Sequence, residues 1–426
     1  MRSSEHADLE DIRTAVPGPR TRELTRGLQS FESRNVTFVD ERFPVFWETT
    51  LGATVTDVDG NRYIDLTAAF GVANTGHSNP AVAEAIHDQA ARLMHAMGDV
   101  HPTEVKVELL EKLAAITPGE LGKTFLTSTG SEAVEAAMKT AMLATGKSSF
   151  AAYRGAYHGL SFGALEISGI EKFREPFASV LPKRTLFFEY PRTADALEQV
   201  PRALASRHDL AALIVEPMQG RGGCLIPPKG YLAGLRDICT SLGILLIFDE
   251  IYTGFGRTGA MFACEHDGVV PDILCLGKAM ANGFPISATV ARPEVMDAWP
   301  ISAGEALHTS TYLGNPMGCA AALANIGEIQ RLKLPKRARE LGNELGVRLS
   351  ALRGSGKALD VRGRGLMWGI ELADAATAQS VVIEALKRGV ILLQAGLQGN
   401  VLSITPPLII SERQLFRAID IVEELL

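Results

Sequence analysis

Two apolar segments of this chain end in residues that can do chemistry together. The run Gly243 to Asp249 (GILLIFD) ends in an acid, and the run Ile273 to Gly277 (ILCLG) leads straight into Lys278. Each reads as a buried strand with a polar group at its exit. Lys278 lies in CLGKAMANGFPISA, a segment with two glycines and no neighbouring charge, and the flanking Leu276 and Met280 argue against a surface lysine. Burial lowers an amine's pKa and favours the neutral form that attacks an aldehyde. A carboxylate such as Asp249 can keep a pyridine nitrogen protonated, so that the ring draws electrons from a bound substrate. A lysine for a Schiff base and an acid for the ring are what pyridoxal phosphate chemistry needs.

Other residues at the ends of apolar runs add to this pair. In Phe125 to Met138 (FLTSTGSEAVEAAM) a strand passes through a small-residue turn into a helix. Free N–H groups at a helix start make a phosphate site, with Thr129, Gly130 and Ser131 as the contacts. The same turn also reads as an ordinary helix start with Ser131 as N-cap and Glu132 and Glu135 in the first turn. Tyr157-His158-Gly159 follows the strand that holds Tyr153. The tyrosine could stack on a ring, and His158 reads as a positioning residue rather than a base. Glu216 ends the run Ala212 to Val215 much as Asp249 ends the next. In an open α/β sheet, ligands gather at the carboxyl ends of the strands.

These residues need a frame. At 426 residues the chain is too long for one ordinary core. With 46% hydrophobic and 21% charged residues it reads as globular, and a net charge of −7 gives no nucleic-acid footprint. Its apolar runs are too short to span a bilayer, and the polar start (MRSSEHADLEDIRTAV) carries no apolar signal-peptide core. Five scattered cysteines, Cys224, Cys239, Cys264, Cys275 and Cys319, make no metal spacing and read as reduced, mostly buried thiols in the cytoplasm. Residues 1 to about 35 read as a charged arm or short helix. Thr54 to Leu66 is expected as a hairpin turning at Asp59-Gly60, and Asn79-Pro80 opens a helix. Helices are also expected at Val105 to Ile116 and Ser131 to Leu143, with strands at Thr124 to Thr127, Ser149 to Tyr153, Ala211 to Val215 and Ile244 to Phe248. Continuous apolar runs indicate strands covered on both faces of a largely parallel α/β sheet. After about Asn325, helices flank short strands (Met367 to Leu372, Val401 to Thr405), which predicts a second, smaller α+β domain.

In combination these pieces resemble the class III aminotransferases, pyridoxal-phosphate enzymes of fold type I that include 4-aminobutyrate and ornithine aminotransferases. The resemblance runs from about Phe43 to the C-terminus. It is carried by DVDGNRYIDL, GHSNPAV, TSTGSEAVEAAMK, AYHG, VEPMQG, FDEIYTGFGRTG, LGKA, TSTYLGNP and VRGRGLMWGIEL. It implies a large domain (76–325) with a mostly parallel, seven-stranded-type sheet. A small domain would be formed by the N-terminal segment (1–75) and the C-terminal segment (326–426). It implies that Lys278 forms the Schiff base and carries the proton, that Asp249 pairs with the pyridinium nitrogen, and that Ile251 and Tyr157 cover the two ring faces. Thr129, Gly130 and Ser131 would hold the phosphate, and Glu216 would be a structural acid of the site. Thr311 would reach the phosphate of a partner subunit's cofactor, making a homodimer obligatory. The implied reaction is ping-pong transfer of an amino group from an amine donor to a keto acid. An aminomutase or racemase of the same fold is the alternative, and a non-catalytic binding protein a more distant one.

Four positions depart from the family's pattern. Arg221 stands where a glutamate is usual, Ser403 where that glutamate's arginine partner is usual, Leu160 where an arginine often grips a substrate carboxylate, and Tyr252 where glutamine is common, near the cofactor's phenolic oxygen. The first two changes are paired, because either charge left alone in a dry pocket would be costly. Phe70 falls at a substrate-lining position. The expectation is that carboxylate anchoring is absent or moved to Arg221, whose guanidinium can hold a carboxylate at two points.

Overall fold

The computed structural model describes residues 8–426. The first seven residues of the expected arm lie outside it, and the rest of that stretch includes a helix, Pro19–Phe31. The central element is a seven-stranded sheet in the order Lys123–Thr127, Ser287–Ala291, Ile273–Leu276, Leu245–Asp249, Leu210–Val215, Ser149–Tyr153, Thr185–Phe188. The last five are joined by parallel pairings. Ser287–Ala291 runs antiparallel to both of its neighbours.

The continuous apolar runs of these strands follow from burial on both faces. Ile214, Ile247, Ile273 and Cys275 pack on one face with Val134, Ala137, Met138 and Ala141 of the helix Gly130–Thr145. Their alternate neighbours Leu213, Val215, Leu246, Phe248, Leu274 and Leu276 face the other core, with Leu235 and Cys239 of the helix Tyr231–Leu242. Residue-by-residue alternation between two buried cores leaves no position for a charge in the interior of these strands. That is why the acids and the lysine all fall at strand exits.

Two four-stranded sheets complete the fold. One joins Trp47–Leu51, Thr54–Asp57 and Arg62–Asp65 to Val390–Ile391, which pairs parallel to Arg62–Asp65 and ties the two ends of the chain together. Its hairpin turns at Asp59-Gly60 as expected, with Asp57 accepting the Asn61 N–H at 2.8 Å and the Tyr63 hydroxyl at 2.7 Å. The other is antiparallel, in the order Asp360–Arg364, Met367–Glu371, Val401–Ile404, Leu393–Ala395. The helix Pro316–Arg331 is continuous through Asn325 and packs on the helices Pro80–Arg92 and Glu104–Ile116.

Arg257 is fully buried where these parts meet. It donates to the carbonyls of Leu366 and Pro406 and to the Asn74 side chain. All five cysteines are buried and unpaired. Among the described residues no helix is long and apolar enough to cross a membrane, and no group of three or more His, Cys, Asp or Glu is placed to hold a metal.

Candidate active site

The carboxyl ends of the parallel strands open into one cavity of about 770 Å³. Asp249, the last residue of Leu245–Asp249, is buried in it. Its Oδ2 accepts from His158 Nδ1 at 2.7 Å and its Oδ1 from the Ile251 N–H at 3.0 Å. The other ring nitrogen of His158 is buried with no partner among the described residues, so the imidazole is committed to orienting Asp249. Lys278 follows Ile273–Leu276 and is only partly exposed. Its φ of +43° lies in the left-handed region, which costs a non-glycine residue about 1–2 kcal/mol. Burial pushes its amine down to about 8, against the pull of Asp249 and Glu216. The Nζ lies 3.9 Å from the centroid of the Tyr252 ring.

The second wall is the start of the helix Gly130–Thr145. Its N-cap is Thr129, and this corrects the reading of Ser131 as cap. The Thr129 side chain accepts the Glu132 N–H at 3.3 Å. Glu132 Oε2 accepts the N–H groups of Ser128 at 2.9 Å and Thr129 at 3.1 Å. That reciprocal cap leaves the N–H groups of Gly130 and Ser131 without an intrahelical acceptor, at the positive end of the helix dipole. Ile251 packs so closely on Gly130 that a Cβ there would lie 2.9 Å from it. Ser131 Oγ is 2.6 Å from Ser161 Oγ across the bend at Gly159. An anion-binding helix start, a buried acid and a near-neutral lysine in one cavity fit the phosphate, ring nitrogen and aldehyde of pyridoxal phosphate.

On the third side, Glu216 accepts the N–H groups of Tyr157 at 2.9 Å and Gly220 at 3.0 Å. Burial raises its carboxyl to about 7, with His158 opposing the rise. Arg221 is exposed at the mouth, its guanidinium carbon 5.1 Å from the Tyr157 ring and 5.3 Å from the Phe173 ring. Among the described residues no carboxylate pairs with it. Ser403 lies on the strand Val401–Ile404, 3.9 Å from Cys224 Sγ. The rim carries Phe70 within four consecutive left-handed residues, Ala68 (φ +47°), Ala69 (+50°), Phe70 (+64°) and Gly71 (+74°). Asp65 braces the start of that turn by accepting both the backbone N–H (2.7 Å) and the hydroxyl (2.6 Å) of Thr67.

A sequence profile of the aminotransferase class III family matches residues 37–426. The chain belongs to the class III aminotransferases. Among its relatives, an acetylornithine aminotransferase of Methanosarcina mazei is 40% identical over 90% of this chain and 92% of its own length. A 4-aminobutyrate aminotransferase of Mycobacterium leprae is 36% identical over 97% of each chain. Similar solved structures include the ornithine aminotransferase of Toxoplasma gondii, with a TM-score of 0.85 at 30% identity over 95% of this chain and 94% of that one. A pyridoxal-phosphate-bound amine transaminase from an uncultivated Pseudomonas species has a TM-score of 0.86 at 29% identity, over 93% of this chain and 98% of that one. Class III aminotransferases are pyridoxal-phosphate enzymes, and this chain is an aminotransferase of that kind with the α/β fold expected of it.

Within this class III aminotransferase the cavity gathers every residue singled out from the sequence for cofactor or substrate except Thr311. Thr311 is exposed and lies outside the cavity. The positions of departure Leu160, Arg221, Tyr252 and Ser403 all line the cavity. Sequence reading missed Ser161, Gly220, Leu393, Gln394 and Ala395, which line it too. Gly220 ends the VEPMQG motif and Ser161 lies two residues past AYHG, so both could be included by proximity. Leu393 to Ala395 carry no chemical signal, since only the sheet topology brings them to the site.

Proposed function

We propose that this aminotransferase is a homodimer in which Lys278 moves the proton of the reaction and Arg221 holds a substrate carboxylate. The observation that carries the reading is the convergence of Lys278, Asp249 and the open helix start at Gly130 on one cavity. Pyridoxal phosphate, when bound, supplies an electron-withdrawing ring and an aldehyde that condenses with amines. Thr129, Gly130 and Ser131 would hold its phosphate at the helix start, and Tyr157 and Ile251 would cover its ring. Asp249, held by His158 and the Ile251 N–H, would keep a proton on the ring nitrogen. Lys278, neutral above about pH 8, takes a proton at Nζ from the donor's carbon and returns it one position away. Donor amine and keto acid acceptor use the same cavity in turn.

Arg221 is the substrate-binding choice because Leu160 and Ser403 carry no charge at the two positions where the family's arginines are usual. Two aromatic faces hold its guanidinium in place, and among the described residues no carboxylate takes its donors. The relatives named for acetylornithine and 4-aminobutyrate support carboxylate-bearing substrates. Dimerisation is supported by the apolar side chains that the single chain leaves exposed around Thr311, among them Met94, Met97, Leu307 and Tyr312. His95 packs against Tyr312 with ring centroids 5.4 Å apart and the Thr309 hydroxyl donates to Asp99 at 2.9 Å, so these segments form one surface. A cytoplasmic location is supported by the five unpaired cysteines.

The test is an absorbance titration of the holoenzyme with glutamate, alanine, 4-aminobutyrate, ornithine, diamines and amino sugars, with no acceptor present. Conversion to the pyridoxamine form by an amino acid, with neither ornithine nor 4-aminobutyrate the fastest donor by a wide margin, supports the reading. Conversion by diamines or amino sugars alone removes the role of Arg221. Ornithine or 4-aminobutyrate as the fastest donor by a wide margin contradicts relocated anchoring.

A further inference from the structure

The Tyr252 ring is held by contacts on its edges and tip. A Cβ on Gly71 would lie 2.1 Å from Cε2, and one on Gly220 would lie 2.2 Å from Cδ1, so the two glycine backbones abut opposite edges of the ring. Its hydroxyl donates to Thr405 Oγ1 at 3.1 Å. With both edges and the tip fixed, a ring face is what meets Lys278, whose Nζ is 3.9 Å from the centroid. That distance is well inside the range in which an ammonium is drawn to an aromatic face.

We infer that Tyr252 is a positioning residue that holds the protonated form of Lys278 against its ring face while the amine carries a proton between two carbons. This rests on the reading of Lys278 as the proton carrier. In that step the donor's C–H bond breaks, its electrons stay on the carbon side, and the proton forms an N–H bond on Nζ; the return step reverses this at the receiving carbon. The ammonium needs an attraction that does not take its proton. A carboxylate at the same distance would accept it, whereas a π-face has no such acceptor site. Other groups acting on Lys278 oppose one another: Asp249 and Glu216 favour its charged form, while burial, Arg221 and Arg257 disfavour it. Glutamine, common at this position in the family, offers no face, so the arrangement belongs to this chain's own tyrosine.

The experiment replaces residue 252 by phenylalanine and then by its difluoro and trifluoro analogues, which drain charge from the face at nearly constant shape. Full-length protein stripped of cofactor is labelled with acetic anhydride across pH, and acetylation of Lys278 is read by mass spectrometry. The labelling midpoint is expected to stay in place in Tyr252→Phe and to fall by about one pH unit in the trifluoro protein. In the holoenzyme, the acid limb of kcat shifts the same way with KM unchanged. A midpoint that stays flat across the series overturns the inference. So does one that moves in Tyr252→Phe and no further, because the hydroxyl would then be the active group. The labelling midpoint needs no substrate, so a failed donor panel beside a graded midpoint would sink the proposed reaction and leave the contact standing.

Discussion

Arg221 and Glu216 place two charges of opposite sign on one side of the cavity, and they answer to different measurements. Arg221 is exposed, stacked and without a carboxylate partner among the described residues, so removing it leaves no buried charge behind. Arg221→Ala is expected to raise KM for carboxylate-bearing donors about ten- to a hundred-fold, the value of a charge-assisted hydrogen bond, with little change for a neutral amine. Steady-state kinetics on a matched amino acid and amine decide it, and equal losses on both would end the assignment. Glu216 is a buried acid whose pKa rises on folding, from the ordinary carboxyl range to about 7. A raised acid contributes stability that is full below its unfolded pKa and lost as pH climbs through the folded value. The parent should therefore lose stability between about pH 4.5 and 7 relative to Glu216→Gln, by an amount on the order of 2–3 kcal/mol. Parallel pH–denaturation profiles for the two proteins would refute this.

The element that most constrains the site is the pair of glycine backbones around Tyr252. Gly220→Ala drives a methyl into the ring, and Gly71 on the far edge blocks the ring's retreat. Overpacking of this kind costs about 1–3 kcal/mol. Gly220→Ala should lower the melting temperature and slow the donor half-reaction, and a variant unchanged in both would contradict the clamp. The parallel strands were legible in the sequence because both of their faces are buried, which turns them into uninterrupted apolar runs ending in a polar residue. Lys278, Asp249 and Glu216 were legible for the same reason. Thr185–Phe188 was missed because it is a short, half-buried edge strand. Ser287–Ala291 was missed because its small side chains (SATVA) carry no apolar signature, although it is fully buried. The cap at Thr129 was read two residues late, since Ser131 is an equally good capping residue and only the backbone shows which one leaves the helix. The left-handed turn at Ala68 to Phe70 had no sequence signal at all, because alanine and phenylalanine are poor choices for it.

At the scale of the molecule, one chain leaves Thr311 on an uncovered apolar surface outside its own cavity. If Thr311 completes the partner's site, Lys278→Ala and Thr311→Ala homodimers are each impaired. A mixed dimer then holds one site with both native residues. Unfolding and refolding the two variants together should restore roughly a quarter of wild-type activity, and no recovery would show that Thr311 acts within its own subunit. The cavity itself is walled by residues from Phe70 to Ser403. The strand Val401–Ile404 supplies the wall at Ser403, so a chain cut before it lacks that side of the cavity. Truncation before that strand is expected to abolish the donor half-reaction, read from the absorbance of the cofactor-loaded protein. Cofactor bound between these walls is expected to stabilise the folded protein by mass action, so the melting temperature should rise with cofactor concentration.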